Sequence, residues 1–253
     1  MQTDFDDYNF LNSVRYARKI QYLSANMQNS VGFGHFCICI IDNKSADKYM
    51  LSNMPDWAIE YYKIGGYRSD KVFCKEFFHG KREFFPRLDV YDHIQQLLVE
   101  KEENIYGYFD LYALVRCCYE CTFVLLAVDK ENKIDVRKVY SQTYIAFEKF
   151  VVNFLCDMKE EIIDSCAFSD RLSLLYNEKY LNRVILTKEP TCNLTETEKK
   201  IFSCCKDQLA PKEIALKLNL SEKTVRNNFC SLKEKLKVYS TKDLCKEAFI
   251  QGF

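Results

Sequence analysis

The sequence predicts an α+β protein, with an N-terminal α/β sandwich around an antiparallel sheet and a C-terminal all-α helix-turn-helix bundle. Helices and β-branched, aromatic strands alternate over the first 180 residues, which is typical of such a sandwich. After residue 193, short amphipathic helical segments follow one another, each opened by a cap or turn signal. The 253 residues suffice for two domains. We expect domains at 1–183 and 194–253, joined by a linker at 184–193.

Hydrophobic periodicity places the elements of the larger domain in chain order. A first helix is expected from Asp4 to about Met27, where apolar residues recur at helical spacing. Buried strands are expected where β-branched and aromatic residues dominate, at 32–41, 49–52, 106–116 and 121–129. Further helices are expected at 55–64, 70–78, 89–102 and 135–165, with mostly helical chain on to Tyr180.

The last sixty residues predict a helix-turn-helix. Thr195 and Glu198 have the spacing of a capping box at the start of one helix. Pro211 suits the first turn of a second helix, because its missing N–H is not needed there. Ser221 is the expected N-cap of a third helix that runs to about Leu236, and Ser240 that of a fourth, at 241–250. Two helices joined by a turn of a few residues form the minimal DNA-binding motif.

The N-terminal residues of the second helix of such a motif lie at the major groove. Arg226 can form a bidentate contact with guanine, and Asn227 with adenine. Lys223 and Thr224 are expected to contact phosphates, which position a protein without reading sequence. Val225 and Phe229 are expected in the core of this domain.

Charge divides unevenly between the two predicted domains. Residues 192–253 hold 12 Lys/Arg and 8 Asp/Glu, a net of +4. The upstream part therefore holds 24 and 28 of the chain's 36 and 36, a net of −4. A basic C-terminal part beside a larger acidic one fits DNA binding at one end. The sequence shows no signal peptide and no apolar run near the ~20 residues of a membrane span, so we expect a cytoplasmic protein without membrane attachment.

Thirteen cysteines are many for a cytoplasmic chain. Cys118 and Cys121 form a C-x-x-C, but a zinc or iron–sulfur site would need a second pair, and none lies close by. Cys37 and Cys39 alternate on a predicted strand and should point into the core together. We therefore expect buried, reduced thiols and no metal or other cofactor.

One constellation in the larger domain could bind a ligand. Trp57 and Tyr61 lie four residues apart on one helical face, and Asp70 follows a Gly65-Gly66 break. An indole N–H, a phenol and a carboxylate around an apolar pocket would suit a small amphipathic molecule. The alternative is structural: Trp57 and Tyr61 belong to the core and Asp70 caps the next helix. Physical reasoning alone favours this second interpretation, because Asp is a common N-cap.

Residues 194–238 resemble, without a gap, the C-terminal domain of the LuxR family of transcription regulators. The matching positions are Leu194-Thr195, Glu198, Glu213-Ile214-Ala215, Leu218, Ser221, Thr224-Val225, Lys235-Leu236 and Val238. The chain departs from the family pattern at five positions, where Thr197 replaces Arg, Cys204 Trp, Gln208 Gly, Asn228 His and Thr241 Arg.

The spacing Trp57-x3-Tyr61-x8-Asp70 is similar to that in the acyl-homoserine-lactone domain of LuxR-type quorum sensors. The resemblance implies that Trp57 donates to a lactone carbonyl, that Asp70 accepts an amide N–H and that Tyr61 lines the same polar head. Thr122 would add a hydroxyl. Asn53 occupies the place of a family Tyr, Phe84 or Phe85 that of a Trp, Lys71 that of a Pro, and Ala113-Leu114 lack a glycine. We take Asn53, Phe85 and Thr122 as further ligand-binding candidates.

The sequence supports two functions. One is a transcription regulator controlled by a small amphipathic signal such as an acyl-homoserine lactone. The other is a DNA-binding regulator whose N-terminal domain is a ligand-independent dimerisation or protein-interaction module. An enzyme is not expected, because the three histidines are scattered and neither G-x-S-x-G nor a Gly-rich phosphate loop occurs. The fourth helix has an apolar stripe of Leu244, Cys245, Ala248 and Phe249, which in a monomer would pack on the bundle alone. The resemblance suggests that part of this stripe pairs with a second copy, so we expect a homodimer on a near-palindromic operator in double-stranded DNA.

Overall fold

The computed structural model describes residues 11–63, 70–74, 81–89, 106–186, 194–236 and 238–250. The chain divides into two compact units. The first comprises Met1–Arg116 and Glu120–Thr187, and the second comprises Cys117–Tyr119 and Lys188–Phe253. The first unit is α+β and the second is helical, as predicted.

An antiparallel sheet forms the centre of the first unit. Its described strands are β1 (His35–Asp42), β2 (Lys48–Ser52), β3 (Glu83–Phe84), β4 (Phe109–Cys117) and β5 (Cys121–Asp129). They lie in the order β2-β1-β5-β4-β3. In β1, Cys37 lies opposite Ser52 of β2 and Leu126 of β5. Residues directly opposite each other share a face, so this register decides which side chains meet on each side of the sheet.

Helices lie on both faces of this sheet. They are α1 (Asn12–Arg15), α2 (Ala17–Ser24), α3 (Met27–Val31), α4 (Pro55–Lys63), α5 (Pro86–Asp89), α6 (Val136–Asp157), α7 (Lys159–Ser165) and α8 (Glu178–Ile185). Phe36 stacks edge-on against Phe150 and Phe154, which places α6 on one face. Cys37, the next residue of β1, faces the other side together with Trp57 of α4.

The predicted strands are all present, and Cys37 and Cys39 are fully buried as expected. The two-residue strand β3 was not predicted. The predicted helix from Asp4 is three short segments over its described part, interrupted at Tyr16 and at residues 25–26. The predicted helix at 135–165 breaks at Met158, whose side chain is fully buried and whose backbone N–H still bonds to the carbonyl of Phe154.

The predicted helix at 70–78 is wrong over its described part. Only Lys71–Phe73 forms a turn of 3-10 helix, and Cys74 is extended. The first two residues of the predicted linker, Val184 and Ile185, are buried residues at the end of α8. The rest of the predicted helix at 70–78 and of the predicted linker, together with the helix at 89–102 and Gly65-Gly66, lies largely outside the described residues. The domain limits of 183 and 194 stay a prediction.

Four helices form the described part of the second unit: α9 (Glu196–Lys206), α10 (Pro211–Leu218), α11 (Glu222–Leu236) and α12 (Thr241–Ile250). Their apolar faces meet in a core that includes Ile201, Phe202, Ile214 and Leu232. Val225 and Phe229 belong to this core, as predicted. The core holds α10 and α11 together, so it fixes the geometry of the motif.

Each helix of the second unit begins where the caps predict. The Thr195 hydroxyl accepts from the backbone N–H of Glu198 at 3.2 Å, and the Glu198 carboxylate accepts from the N–H of Thr195 at 2.7 Å. Pro211 is in the first turn of α10. The Ser240 hydroxyl accepts from the N–H of Asp243 at 3.0 Å. These bonds satisfy backbone donors that have no partner within their helices.

Candidate DNA-binding surface and ligand pocket

The turn between α10 and α11 has the chemistry of a helix-turn-helix. Asn219 takes the left-handed conformation, with φ of 54°, which Asn tolerates better than most residues. The N–H of Leu220 then donates to the carbonyl of Ala215 at 2.9 Å. The Ser221 hydroxyl accepts from the N–H of Thr224 at 3.0 Å and starts α11, as predicted. Three residues, 219–221, therefore connect the two helices.

The four predicted DNA contacts lie on the first two turns of α11. Lys223, Arg226 and Asn227 are exposed, and Thr224 is half-buried with its hydroxyl bonded to that of Ser221 at 2.8 Å. The Arg226 guanidinium donates twice to the Glu222 carboxylate, at 2.9 and 2.7 Å. The Arg226 side chain remains 66% exposed, so this surface pair can be exchanged for another partner at low cost.

Glu198 helps to hold α11, the helix that carries these side chains, in a way that the sequence did not predict. Its side chain is buried and accepts from the Lys235 ammonium and from the Ser231 hydroxyl, each at 2.7 Å. These bonds outweigh the effect of burial and lower the pKa of Glu198 to about 2. The start of α9 is thus tied to the C-terminal half of α11. The capping box identified Glu198, but its second role depends on a partner 37 residues away.

Gln208 is another departure with a structural consequence. Its φ is +55°, in the left-handed region where a side chain is strained and where the family pattern has glycine. The preceding backbone bond, from the N–H of Gln208 to the carbonyl of Cys205 at 3.1 Å, holds this turn after α9. The turn therefore keeps the conformation that a glycine would favour.

The structure brings Trp57, Tyr61 and Asp70 together in the first unit. The rings of Trp57 and Tyr61 stack with centroids 4.6 Å apart. The Tyr61 hydroxyl donates to the Asp70 carboxylate at 2.8 Å. Both rings are buried. The indole and the phenol of α4 and the carboxylate of Asp70 therefore contact one another in series.

Asp70 also has the structural role that the sequence left open. Its other carboxylate oxygen accepts from the N–H of Val72 at 2.8 Å and caps the Lys71–Phe73 turn. Burial raises the pKa of Asp70, although the bonds from Tyr61 and Val72 act in the opposite direction. Because the pKa of Asp70 is raised overall, the folded protein disfavours the ionised form of this carboxyl.

A small cavity lies between α4 and the sheet. The space inside it that can hold the centre of a water molecule is about 10 Å³, which is room for roughly one water. The residues that line it are Ser13, Cys37, Met50, Ser52, Trp57, Ala58 and Tyr61. Pockets for ligands of drug size usually measure roughly 300–1,000 Å³. The sequence did not identify Ser13 and Ser52 as lining residues, because they are far apart in the chain. They meet only in the folded protein, where the N–H of Ser52 donates to the Ser13 hydroxyl.

The other predicted ligand residues lie away from this lining. The Asn53 amide accepts from the N–H of Phe36 at 3.0 Å and donates to the carbonyl of Gly34 at 2.9 Å. Thr122 lies opposite Ile41, four residues along β1 from Cys37, which is roughly 13 Å. Its hydroxyl donates to the Asn43 side chain at 2.9 Å.

Phe85 packs toward α6, with its ring 5.8 Å from that of Tyr140 and the Arg137 guanidinium above it. Phe84 pairs with Ala113 of β4, on the face away from α6. Of the two phenylalanines named from the sequence, Phe84 thus shares the sheet face of the cavity. The ligand roles of Asn53, Phe85 and Thr122 stay predictions.

Neither a metal site nor a membrane span is evident in the described ranges. No group of three or more His, Cys, Asp or Glu side chains there is arranged to hold a metal ion. No described helix is both long and apolar enough to cross a bilayer.

Residues 192–248 match the family described as "Bacterial regulatory proteins, luxR family". No curated protein matches the chain. Among solved structures, one titled "SdiA in complex with octanoyl-rac-glycerol" is 16% identical, with a TM-score of 0.39, and covers 98% of this chain and 96% of that one. A second, of Escherichia coli SdiA, is 13% identical, with a TM-score of 0.39 and 94% of each chain covered.

The family match spans α9 to α11 and most of α12, including the turn at Asn219 and all four predicted DNA contacts. Residues 192–248 are a luxR-type regulatory domain built around a helix-turn-helix.

Proposed function

We propose that this chain is a DNA-binding transcription regulator and not an enzyme. The observation that carries this function is the α10–turn–α11 motif, which exposes Lys223, Arg226 and Asn227 on the first two turns of its second helix. A helix N-terminus with exposed donors fits the major groove and its flanking phosphates. The net positive charge of residues 192–253 supports the same function.

The four side chains have distinct proposed roles. Arg226 exchanges its bond to Glu222 for the O6 and N7 of a guanine, and Asn227 contacts an adenine. Lys223 reaches a phosphate oxygen, and Thr224 is close enough to the helix start to do the same. Glu222 adds a negative charge beside the phosphates, so Arg226 has two competing acceptors.

We propose further that the first unit binds a small amphipathic signal, of which an acyl-homoserine lactone is an example. The cavity between α4 and β1–β2 combines apolar walls with the Ser13 and Ser52 hydroxyls. Tyr61 lines it, and Asp70 bonds to the Tyr61 hydroxyl. A ligand with an amide N–H would compete with Tyr61 for the Asp70 carboxylate.

A ligand-independent module is the second candidate for the first unit, and two observations favour it. Asp70 and Asn53, both named as ligand contacts, are already bonded within the protein. The cavity is smaller than most pockets for organic ligands. In this alternative the unit serves dimerisation or contacts another protein.

Two experiments separate these functions. Selection of bound duplexes from a random pool tests DNA recognition, and the proposal expects an enriched sequence, whereas a pool without enrichment contradicts it. A thermal-shift series with acyl-homoserine lactones of increasing chain length tests the first unit. A ligand at 100 times its dissociation constant adds about 2.7 kcal/mol to the free energy of unfolding, so binding should raise the melting temperature visibly. Flat melting curves would favour the ligand-independent module.

A further inference from the structure

Glu222 is the first residue of α11, and its carboxylate lies against the guanidinium of Arg226. The Nε and Nη2 atoms of Arg226 both donate to the Oε1 atom of Glu222, at 2.9 and 2.7 Å. The Glu222 and Arg226 side chains are 43% and 66% exposed, so the pair lies on the surface of the helix. When Arg226 meets the base edges of a groove, the Glu222 carboxylate is therefore close to the same edges.

The proposed contact between Arg226 and a guanine takes the guanidinium away from Glu222. An ionised carboxylate only accepts hydrogen bonds, and the phosphates around it carry the same charge. On the base edges of the major groove, guanine N7 and O6 and thymine O4 are acceptors as well, whereas cytosine N4 and adenine N6 are donors. Adenine places its N7 acceptor beside the N6 donor, while cytosine presents no acceptor of its own there. The freed carboxylate is therefore stabilised most by a cytosine.

We propose that Glu222 is a specificity-determining residue, whose carboxylate accepts a hydrogen bond from N4 of a cytosine in a base pair next to the guanine that Arg226 contacts. This inference rests on the proposed recognition of DNA by α11 and adds one base to those that the helix reads. Successive base pairs are about 3.4 Å apart along the duplex, which is close to the 2.7 Å between the two side chains. The negative charge also rejects guanine and thymine at this position, because their acceptors would face it.

A carboxylate in the first turn of a helix also stabilises that turn through the helix dipole. If this were the whole role of Glu222, its replacement would lower stability slightly and leave the base preferences of the protein unchanged. If Glu222 only held Arg226 in position, its replacement would weaken the preference for guanine alone. A preference for cytosine that depends on Glu222 and not on Arg226 therefore separates the proposal from both simpler roles.

Selection of bound duplexes from a random pool, repeated with two variants, tests the proposal. The wild type should select a guanine with a cytosine in a neighbouring base pair. Glu222→Ala should keep the guanine and lose the cytosine, whereas Arg226→Ala should keep the cytosine and lose the guanine. In the selected operator, exchange of this cytosine for thymine should weaken binding of the wild type by about five- to a hundredfold, and that of Glu222→Ala hardly at all.

Glu234→Gln is the matched control, because it removes the same charge from an exposed position of α11. Residue 234 lies about 18 Å from residue 222 along the helix, so this variant should keep both base preferences. Glu222→Gln preserves the length of the side chain and repeats the test if the alanine variant does not fold, as judged by circular dichroism. Its amide should favour adenine at the position where the wild type selects cytosine.

The possible failures of the proposal are distinct. A wild-type operator without a cytosine next to the guanine would overturn it, as would the same cytosine preference in the wild type and in Glu222→Ala. Loss of the guanine alone in Glu222→Ala would overturn it too. In each of these cases DNA recognition by α11 would stand. A wild-type protein that enriches no sequence would contradict the proposed function itself, on which the inference rests.

Discussion

The carboxylate of Glu198 joins two helices of the second unit, because it accepts a hydrogen bond from the ammonium of Lys235 at 2.7 Å. Glu198 is 3% exposed and lies in the first turn of α9, while Lys235 lies in the last turn of α11. The same carboxylate completes the capping box with Thr195. One side chain therefore both starts α9 and holds the helix that carries the proposed DNA contacts.

Replacement of Glu198 by Gln should lower the free energy of unfolding of this unit by about 1–3 kcal/mol, because a buried charged hydrogen bond is lost. The pKa of Glu198 is lowered from 4.5 to about 2 in the folded protein. A lowered carboxyl pKa stabilises the folded state above pH 4.5, and this stabilisation is lost as the pH falls toward 2. Urea titrations should thus show a difference at pH 7 that narrows by pH 3.

Glu196→Gln is the matched control in the same turn of α9. Glu196 pairs with Lys199 at 2.7 Å, but its side chain is 80% exposed, so water screens the pair. This variant should unfold like the wild type at both pH values. Equal losses for the two variants would mean that Glu198 acts only through the general charge at the start of the helix.

Gln208→Gly should stabilise the second unit by about 0.5–1 kcal/mol, because glycine adopts the positive φ of this turn without strain. Gln208→Ala removes the same side chain but keeps the Cβ, so it isolates the effect of the backbone. Asn219→Gly should give a smaller gain, because Asn tolerates the left-handed region. Thermal melting of the three variants measures the order. A gain for Ala equal to that for Gly would rule out backbone strain.

The structure confirms most clearly the predictions that depend on a few neighbouring residues. Thr195, Ser221 and Ser240 each cap a helix within three residues, and Pro211 begins one, so the sequence alone locates all four starts. The helix-turn-helix follows from these local signals. It could be predicted almost residue by residue.

The features that were missed depend on residues far apart in the chain. Strand β3 has two residues and exists only by pairing with β4. Arg116, which forms a buried ion pair with Glu148, also donates to the carbonyl of Ile185, 69 residues further along the chain. The helix predicted at 135–165 breaks at Met158, whose side chain is fully buried. The hydrophobic periodicity of the sequence does not indicate this break. The cavity was missed in part for the same reason, since Ser13 of α1 and Ser52 of β2 meet only when the helix packs against the strand.

Asp70→Asn should leave the first unit at least as stable as the wild type at pH 7. Burial raises the pKa of Asp70, so the ionised side chain destabilises the folded state as the pH rises through its folded pKa. Asn cannot ionise and still accepts from the N–H of Val72, as an N-cap does. Melting curves at pH 4 and pH 7 should show any advantage of Asn at the higher pH. A marked loss of stability at pH 7 would contradict this account.

The same variant tests the ligand proposal when it is titrated with acyl-homoserine lactones. Loss of a hydrogen bond to a charged group should weaken binding by about tenfold to a hundredfold. Trp57→Phe should weaken it less, because a neutral bond is lost. Unchanged affinity in Asp70→Asn would leave Asp70 as a cap alone and favour the ligand-independent module.

The homodimer that we expect from the sequence resemblance predicts the shape of the operator. Dimeric helix-turn-helix proteins contact half-sites about 34 Å, or one helical turn, apart. Footprinting on a selected duplex should therefore show two protected half-sites related by near-twofold symmetry. Removal of one half-site should abolish stable binding. Protection of a single half-site by one chain would contradict the dimer.

Affinity of Arg226→Ala and Lys223→Ala for a selected operator, measured over a range of salt concentrations, tests the central claim most directly. Arg226→Ala should weaken binding by about 1–3 kcal/mol and relax base preference at one position. Lys223→Ala should weaken all duplexes alike and reduce the salt slope by about one. If Arg226→Ala binds the operator with wild-type affinity and base preference at every salt concentration, α11 does not read DNA through this side chain and the account is contradicted.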